Sequence, residues 1–214
     1  PRRSAREIVD LALAWWEARD DRPSFLWLHL YDPHHPYLPP ANFHPRGPKT
    51  EWLERAGPLL ISRKLYLGEV AYVDREIGRL LDSLDLPRDG AVVALAGDHG
   101  EALGEHGEDT HGFLAHRSTM RVPLMISVPG RNLPRPSGMA GLSQLGPTLL
   151  WLAGGDPMDL GPAPRLFTTG RDAPPQTFEN LAAAEQYGWL PARGIQDGRW
   201  RLILSGGLQL FDIA

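Results

Sequence analysis

Two periods of apolar spacing run through this chain, and together they predict a mixed α/β architecture. Residues 4–19 place Ile8, Leu11 and Trp15 at spacings of three and four, with Arg19 at the far end of the same face. This is an amphipathic helix that Ser4 and Glu7 open in a capping-box pattern and that Asp20, Asp21 and Pro23 close. Residues 25–30 are apolar apart from His29 and predict a buried strand, with His29 as a satisfied core histidine. Residues 60–84 carry the clearest helical stripe: Tyr66, Val70, Val73, Ile77, Leu80 and Leu84 step by four and three. Glu69, Arg75, Glu76, Arg79 and Asp82 lie mostly off that stripe. Residues 91–97 are uncharged and nearly all apolar, the pattern of a strand buried on both faces of a parallel sheet. Residues 121–128 predict another strand, ended by Pro129 and Gly130, and residues 144–153 a short helix closed by Gly154 and Gly155.

Between these elements the pattern breaks down. Residues 39–58 are rich in Pro, Gly and charge and predict a long surface loop with a short helix at 51–55. Residues 155–175 read as a Pro/Gly-rich connection. Beyond it, residues 177–179, 192–204 and 208–211 predict antiparallel strands, with a hairpin turn at Asp197 and Gly198. The element order implies an α/β core with crossover helices over residues 1–154 and a small β-rich part over 155–214. No internal repeat is visible.

Composition narrows the function classes. With 42% apolar and 22% charged residues the chain is globular, and a net charge of −4 argues against a general nucleic-acid binder. Cysteine is absent, so neither a disulfide nor a thiolate metal site can form. No apolar run approaches the length of a membrane span. The chain begins at Pro1 and stops within an apolar pattern, which reads as an internal piece of a longer protein. All eight histidines fall between His29 and His116, and imidazole suits proton transfer near neutral pH and transition-metal binding.

Two strand ends carry the candidate chemistry. After residues 91–97 come Asp98, His99 and Gly100, where an α/β sheet collects its ligands. A carboxylate and an imidazole there suit a metal ion or an anionic ester, and Gly97 and Gly100 allow a close backbone approach. The plain alternative is an ordinary turn in which Asp98 caps the next helix. After residues 25–30, Pro33 and Pro36 hold an extended turn around His34 and His35. His44 reads as exposed, and His106 and His116 as structural.

These pieces, in this order, resemble the sulfatase branch of the alkaline phosphatase-like superfamily. The resemblance rests on residues 25–37 (FLWLHLYDPHHPY), 66–84 (YLGEVAYVDREIGRLLDSL), 98–112 (DHGEALGEHGEDTHG), 121–130 (RVPLMISVPG) and 188–203 (GWLPARGIQDGRWRLI), with the closing Leu210, Phe211 and Asp212. It implies part of an α/β/α sandwich, a divalent cation at the strand ends, and hydrolysis of a sulfate ester. It also implies a formylglycine nucleophile, made from Cys or Ser in a C/S-x-P-x-R motif upstream of Asp98, with two acidic metal ligands further upstream. Both are expected outside these residues, and the isolated chain is therefore expected to be inactive. Ser127 to Arg131 matches S-x-P-x-R literally, but it comes after Asp98 and lies in the strand-like stretch, so it is set aside.

By the same resemblance, Asp98 and His99 are the metal ligands contributed by this strand end. Many relatives have Asn at the second position; calcium is the expected ion, with manganese or zinc open because imidazole suits them better. His34 matches the histidine that contacts the sulfate or leaving group. His111 stands where many relatives have Lys near the leaving oxygen, and is the candidate general acid. The implied substrate is a small-molecule or carbohydrate sulfate ester, with residues 37–58 and 187–193 as rim elements, and relatives are often periplasmic, secreted or lysosomal. Two rival readings remain: a phosphonate monoester or phosphodiester hydrolase of the same superfamily, and a non-catalytic relative that binds a cation or glycan.

Overall fold

The computed structural model describes residues 2–44, 57–84, 90–134, 139–160, 165–167 and 175–213. The helix expected at 51–55 lies outside them, as does part of the connection at 155–175. No helix among the described residues is long and apolar enough to cross a membrane. The chain divides into two compact units, Pro1–Asp89 and Gly90–Ala214.

The first unit is a helix pair with a proline-rich strap. Helix α1 (Ala5–Ala18) opens with the expected capping box: Ser4 N–H donates to Glu7 Oε2 at 2.8 Å, and Glu7 N–H to Ser4 Oγ at 3.4 Å. Its buried face is Ala5, Val9 and Ala12, not the Ile8–Leu11–Trp15 stripe; Leu11 and Trp15 are 54% and 42% exposed. Helix α2 (Pro58–Ser83) likewise buries Gly68, Glu69, Tyr72 and Glu76, while Val70 is 38% exposed. Small residues on α1 let the helices approach closely, and polar groups then stitch the seam. Arg6 N–H donates to the Tyr72 hydroxyl at 3.2 Å, and Arg79 reaches Asp10 at 2.7 Å and Glu76 at 2.8 Å. Burial opposes the charge on Glu76, but hydrogen bonds from Arg79 and Arg75 hold its carboxyl below the ordinary value. Gly78 sits inside α2 with open space where a Cβ would go. Gly78→Ala is therefore expected to stabilise the protein by about 0.5–1 kcal/mol, read from the denaturant midpoint.

Residues 25–30 do not form a strand among the described residues. Leu26, Leu28 and Leu30 are half-buried and Phe25 and Trp27 are 75% and 80% exposed, and no neighbouring strand among the described residues supplies a ladder. His29 is accordingly exposed rather than in a core, edge-on to Tyr31 at 6.0 Å.

The second unit holds two antiparallel sheets. Strands β1 (Val93–Ala96) and β2 (Leu124–Ser127) pair antiparallel, Val93 opposite Ser127, which corrects the parallel reading of residues 91–97. No residue of β1 is fully buried. The apolar run marked the strand, but its direction depends on the partner that hydrogen-bonds to it. Between them lies a one-turn helix α3 (Arg117–Met120), and after them α4 (Leu145–Leu152), closed by Gly154 at φ 88°. The second sheet runs β3 (Gln176–Asn180), β4 (Ala192–Asp197), β5 (Trp200–Leu204) and β6 (Leu208–Asp212) in sequence order, with α5 (Ala182–Tyr187) between β3 and β4. The hairpin turn is where expected, one residue along: Asp197 pairs with Trp200, and Gly198 at φ 51° and Arg199 make the corner.

Candidate active site

The second unit gathers Asp98, His99, Glu101 and His111 in one loop that leaves β1. Its start is pinned by two bonds, Gly97 N–H to Pro123 O at 3.1 Å and Gly100 N–H to Thr119 O at 2.7 Å. Gly100 is needed there because a Cβ would lie 2.0 Å from the Ser118 carbonyl oxygen. The loop then closes on itself. Ala102 N–H donates to Thr110 O at 2.8 Å, and Gly104 N–H to Glu108 O at 2.8 Å. The buried Glu108 carboxylate accepts from Phe113 N–H at 2.7 Å and Leu114 N–H at 3.3 Å. This closure returns the chain so that His111, ten residues on from Glu101, stands beside it. Leu103 and His106 take left-handed conformations, φ 49° and 57°, so the loop holds strain that its hydrogen bonds must offset.

The two imidazoles are held in defined tautomers. His99 Nδ1 lies 2.8 Å from Gly100 O; a carbonyl only accepts, so Nδ1 carries the proton and Nε2 keeps its lone pair. That Nε2 is 3.8 Å from Asp98 Oδ2, while Asp98 Oδ1 accepts from His99 N–H at 2.9 Å. Metal–oxygen and metal–nitrogen bonds of roughly 2.0–2.4 Å would let one ion touch both atoms. The backbone carbonyl on the far nitrogen is the usual orienting partner of a metal-binding histidine. The donor set, one carboxylate oxygen and one imidazole nitrogen, fits a divalent cation. No group of three or more His, Asp or Glu among the described residues is arranged to hold a metal.

His111 is set up differently. Its Nδ1 lies 3.1 Å from Glu101 Oε1, and the carboxylate side chain is 4% exposed against 21% for the imidazole. The carboxylate therefore accepts a hydrogen bond from His111 Nδ1–H and fixes the ring, as in other carboxylate–histidine pairs. The His99 and His111 rings face each other with centroids 3.9 Å apart and planes at 31°. Glu101 was missed in the sequence. The one signal for it was an acidic residue inside a glycine-flanked turn, which by itself reads as solvated.

His34 belongs to the first unit. Its N–H donates to Tyr31 O at 3.2 Å, its ring stacks on Tyr31 at 4.5 Å and 17°, and its Nδ1 lies 2.7 Å from His35 O. The carbonyl again fixes the proton on Nδ1 and leaves Nε2 as acceptor. The turn is anchored on both sides. Asp32, 5% exposed, accepts from Ala5 N–H at 3.1 Å, and Leu38 N–H donates to Glu69 Oε1 at 2.7 Å. Burial raises the Glu69 carboxyl, the Leu38 bond lowers it, and neighbouring Asp32 raises it again. His35 meets Tyr37 edge-on at 5.5 Å. His106 and His116 stack on each other at 3.8 Å rather than joining the His99–His111 pair. Ser127 is part of the β2 ladder opposite Val93, consistent with setting aside the S-x-P-x-R match.

Comparison with known proteins puts a family on these features. The sulfatase family model matches residues 1–155. Mouse iduronate 2-sulfatase is 39% identical over 95 residues, 44% of this chain and 16% of that protein. Choline-sulfatase of Rhizobium meliloti is 29% identical over 167 residues, 71% of this chain and 31% of that protein. The chain thus spans well under two thirds of the curated relatives it matches. Among solved structures, the yidJ protein of Bacteroides fragilis superposes with TM-score 0.68 at 18% identity, over 97% of this chain and 50% of that one. The phosphonate monoester hydrolase of Agrobacterium radiobacter does so with TM-score 0.66 at 21% identity, over 100% and 56%. BT4656, solved with its substrate D-glucosamine-2-N,6-O-disulfate, gives 0.64 at 19% identity, over 98% and 63%. These likenesses show the alkaline phosphatase-like fold, and with the family match over most of its length the chain belongs to the sulfatase family.

Proposed function

We propose that the complete protein hydrolyses a sulfate ester and that this chain contributes the cation-binding edge of the site and the acid that releases the alcohol. The observation that carries the reading is that His99 and His111 stand ring to ring, centroids 3.9 Å apart, each with its Nδ1 held in place, His99 by Gly100 O and His111 by Glu101. Asp98 and His99 would hold a divalent cation, calcium by its carboxylate and manganese or zinc by its imidazole, which supplies Lewis-acid withdrawal of charge from the ester oxygens. A formylglycine on a segment outside these residues would supply the attacking oxygen.

The work of the chain's own residues is set by their tautomers. His111, protonated on Nε2, donates to the oxygen of the departing alcohol, while Glu101 keeps hold of the Nδ1 proton and steadies the ring. By the family resemblance, His34 would contact the sulfate group or the leaving group. Relatives named for iduronate and choline esters support a small-molecule or carbohydrate sulfate as substrate. The likeness to a phosphonate monoester hydrolase keeps phosphonate esters as the second reading, because tetrahedral sulfur and phosphorus centres call on similar groups.

The test is His111→Ala in the complete protein, assayed on aryl and alkyl sulfates. A general acid matters most when the alcohol leaves poorly, so the alkyl ester is expected to lose roughly 10²–10⁴-fold and the activated aryl ester far less. Equal loss on both would refute the acid role. Turnover of a phosphonate monoester above that of the matching sulfate would favour the second reading.

A further inference from the structure

The inner face of the β3–β6 sheet carries a charge that its surroundings do not neutralise. Arg201, on β5, is 5% exposed, and its guanidinium carbon lies 4.4 Å from the centre of the Phe178 ring. Gly194 makes room for that stack: it pairs with Phe178 on one side and Ile203 on the other, and a Cβ there would lie 2.3 Å from Phe178 Cζ. Arg201 Nε is buried with no hydrogen-bond partner among the described residues. Burial, and then the like charge of Arg117, hold the Arg201 guanidinium below its ordinary range, with no carboxylate acting on it. On the other side, His116 meets Phe211 edge-on at 5.7 Å, and Phe211 is the cross-strand partner of Arg201. His116 also stacks on His106 at 3.8 Å and 15°. Burial first, then His106 and Arg201, push the His116 imidazole below its ordinary value. A cation taken out of water without a partner is strongly disfavoured, so this arrangement calls for an anion.

We propose that Arg201, Arg117, His116 and His106 form a binding site for a tetrahedral oxyanion of the sulfate or phosphate class. Arg201 is the buried member of this group and Arg117 the exposed one. Guanidinium forks match such oxyanions in geometry, and two of them beside an imidazole are balanced better by a dianion than by a single carboxylate. None of the four residues has a role in the hydrolase reading, so the site stands or falls separately from it.

The experiment tracks the His116 ring signal of the complete protein by NMR, assigned by its loss in His116→Gln, while sodium sulfate or phosphate replaces chloride at constant ionic strength. A saturable shift is expected with either ion, together with a rise in the pH midpoint of His116, because a bound dianion stabilises the imidazolium. Arg117→Ala, at an exposed position, is expected to keep the fold and weaken binding at least tenfold; Arg201→Met is expected to abolish it. No saturable shift with either ion would overturn the proposal, as it would if a carboxylate from another part of the complete protein already filled the site. Binding unchanged in Arg117→Ala would overturn it too.

Discussion

Gly100→Ala is expected to destabilise the second unit by about 3 kcal/mol or more, at the upper end of overpacking effects. The new methyl would stand 2.0 Å from Ser118 O, 3.0 Å from Ser118 C and 3.2 Å from Thr119 Cα. All three are backbone atoms, so no side-chain rotation relieves the clash. Either α3 retreats or the Gly100 N–H to Thr119 O bond at 2.7 Å breaks. Both outcomes move the turn that presents Asp98 and His99, so activity of the complete protein falls with stability. Gly107→Ala is the comparison: its φ of +80° strains an alanine, but nothing lies within 4 Å of the added carbon. It is expected to cost only about 1–2 kcal/mol. Thermal or denaturant unfolding of the two variants checks the order, and equal losses would refute the close-approach argument.

A comparably large effect on activity is expected of Asp98→Ala in the complete protein. On the proposed function Asp98 would hold the cation, and its removal is expected to lower kcat/KM by roughly a thousandfold, about 4 kcal/mol of transition-state stabilisation. The Asp98 side chain is 76% exposed and makes one local bond, to His99 N–H, so stability is expected to change by no more than about 1 kcal/mol. The second readout is metal content by elemental analysis after dialysis, expected to fall in Asp98→Ala and to recover in part with excess cation. His99→Asn separates the candidate ions: an amide oxygen in place of the imidazole is expected to favour calcium over zinc and manganese. Full activity and full metal content in Asp98→Ala would remove this loop from the cation site.

Several features were legible before any coordinates because they depend on neighbours in sequence. The Ser4–Glu7 capping box, the end of α4 at Gly154 and the β4–β5 corner at Gly198 are local hydrogen-bond and dihedral requirements; the first two formed where their residues asked for it and the corner one residue along. The apolar stripes of α1 and α2 were misleading about which face is buried. The helices meet along Ala5, Val9 and Ala12 against Tyr72 and Glu76, because small residues permit close approach and the buried Glu76 brings its own arginine partners. Periodicity registers hydrophobicity, and a seam made of alanine and paired charge scores poorly on it.

The candidate site divides along the same line. Asp98, His99 and Gly100 were found in the sequence because a carboxylate, an imidazole and a glycine stand together after an apolar run. His111 entered through resemblance, and Glu101 did not enter at all. Its partnership with His111 exists because the Ala102–Thr110 bond folds the loop back across ten residues.

From the chain alone came the kinds of element, their approximate bounds, the caps and corners, and the short polar run on which the chemistry is mounted. These are set by dihedral preferences and contacts within a few residues. Tertiary structure alone decided the antiparallel pairing of β1 with β2, the tautomers of His99 and His111, the buried carboxylate behind the second, and the unneutralised guanidinium of Arg201. Each of these depends on which distant backbone carbonyl, ring or charge comes to rest alongside, and that is determined only when the whole unit packs.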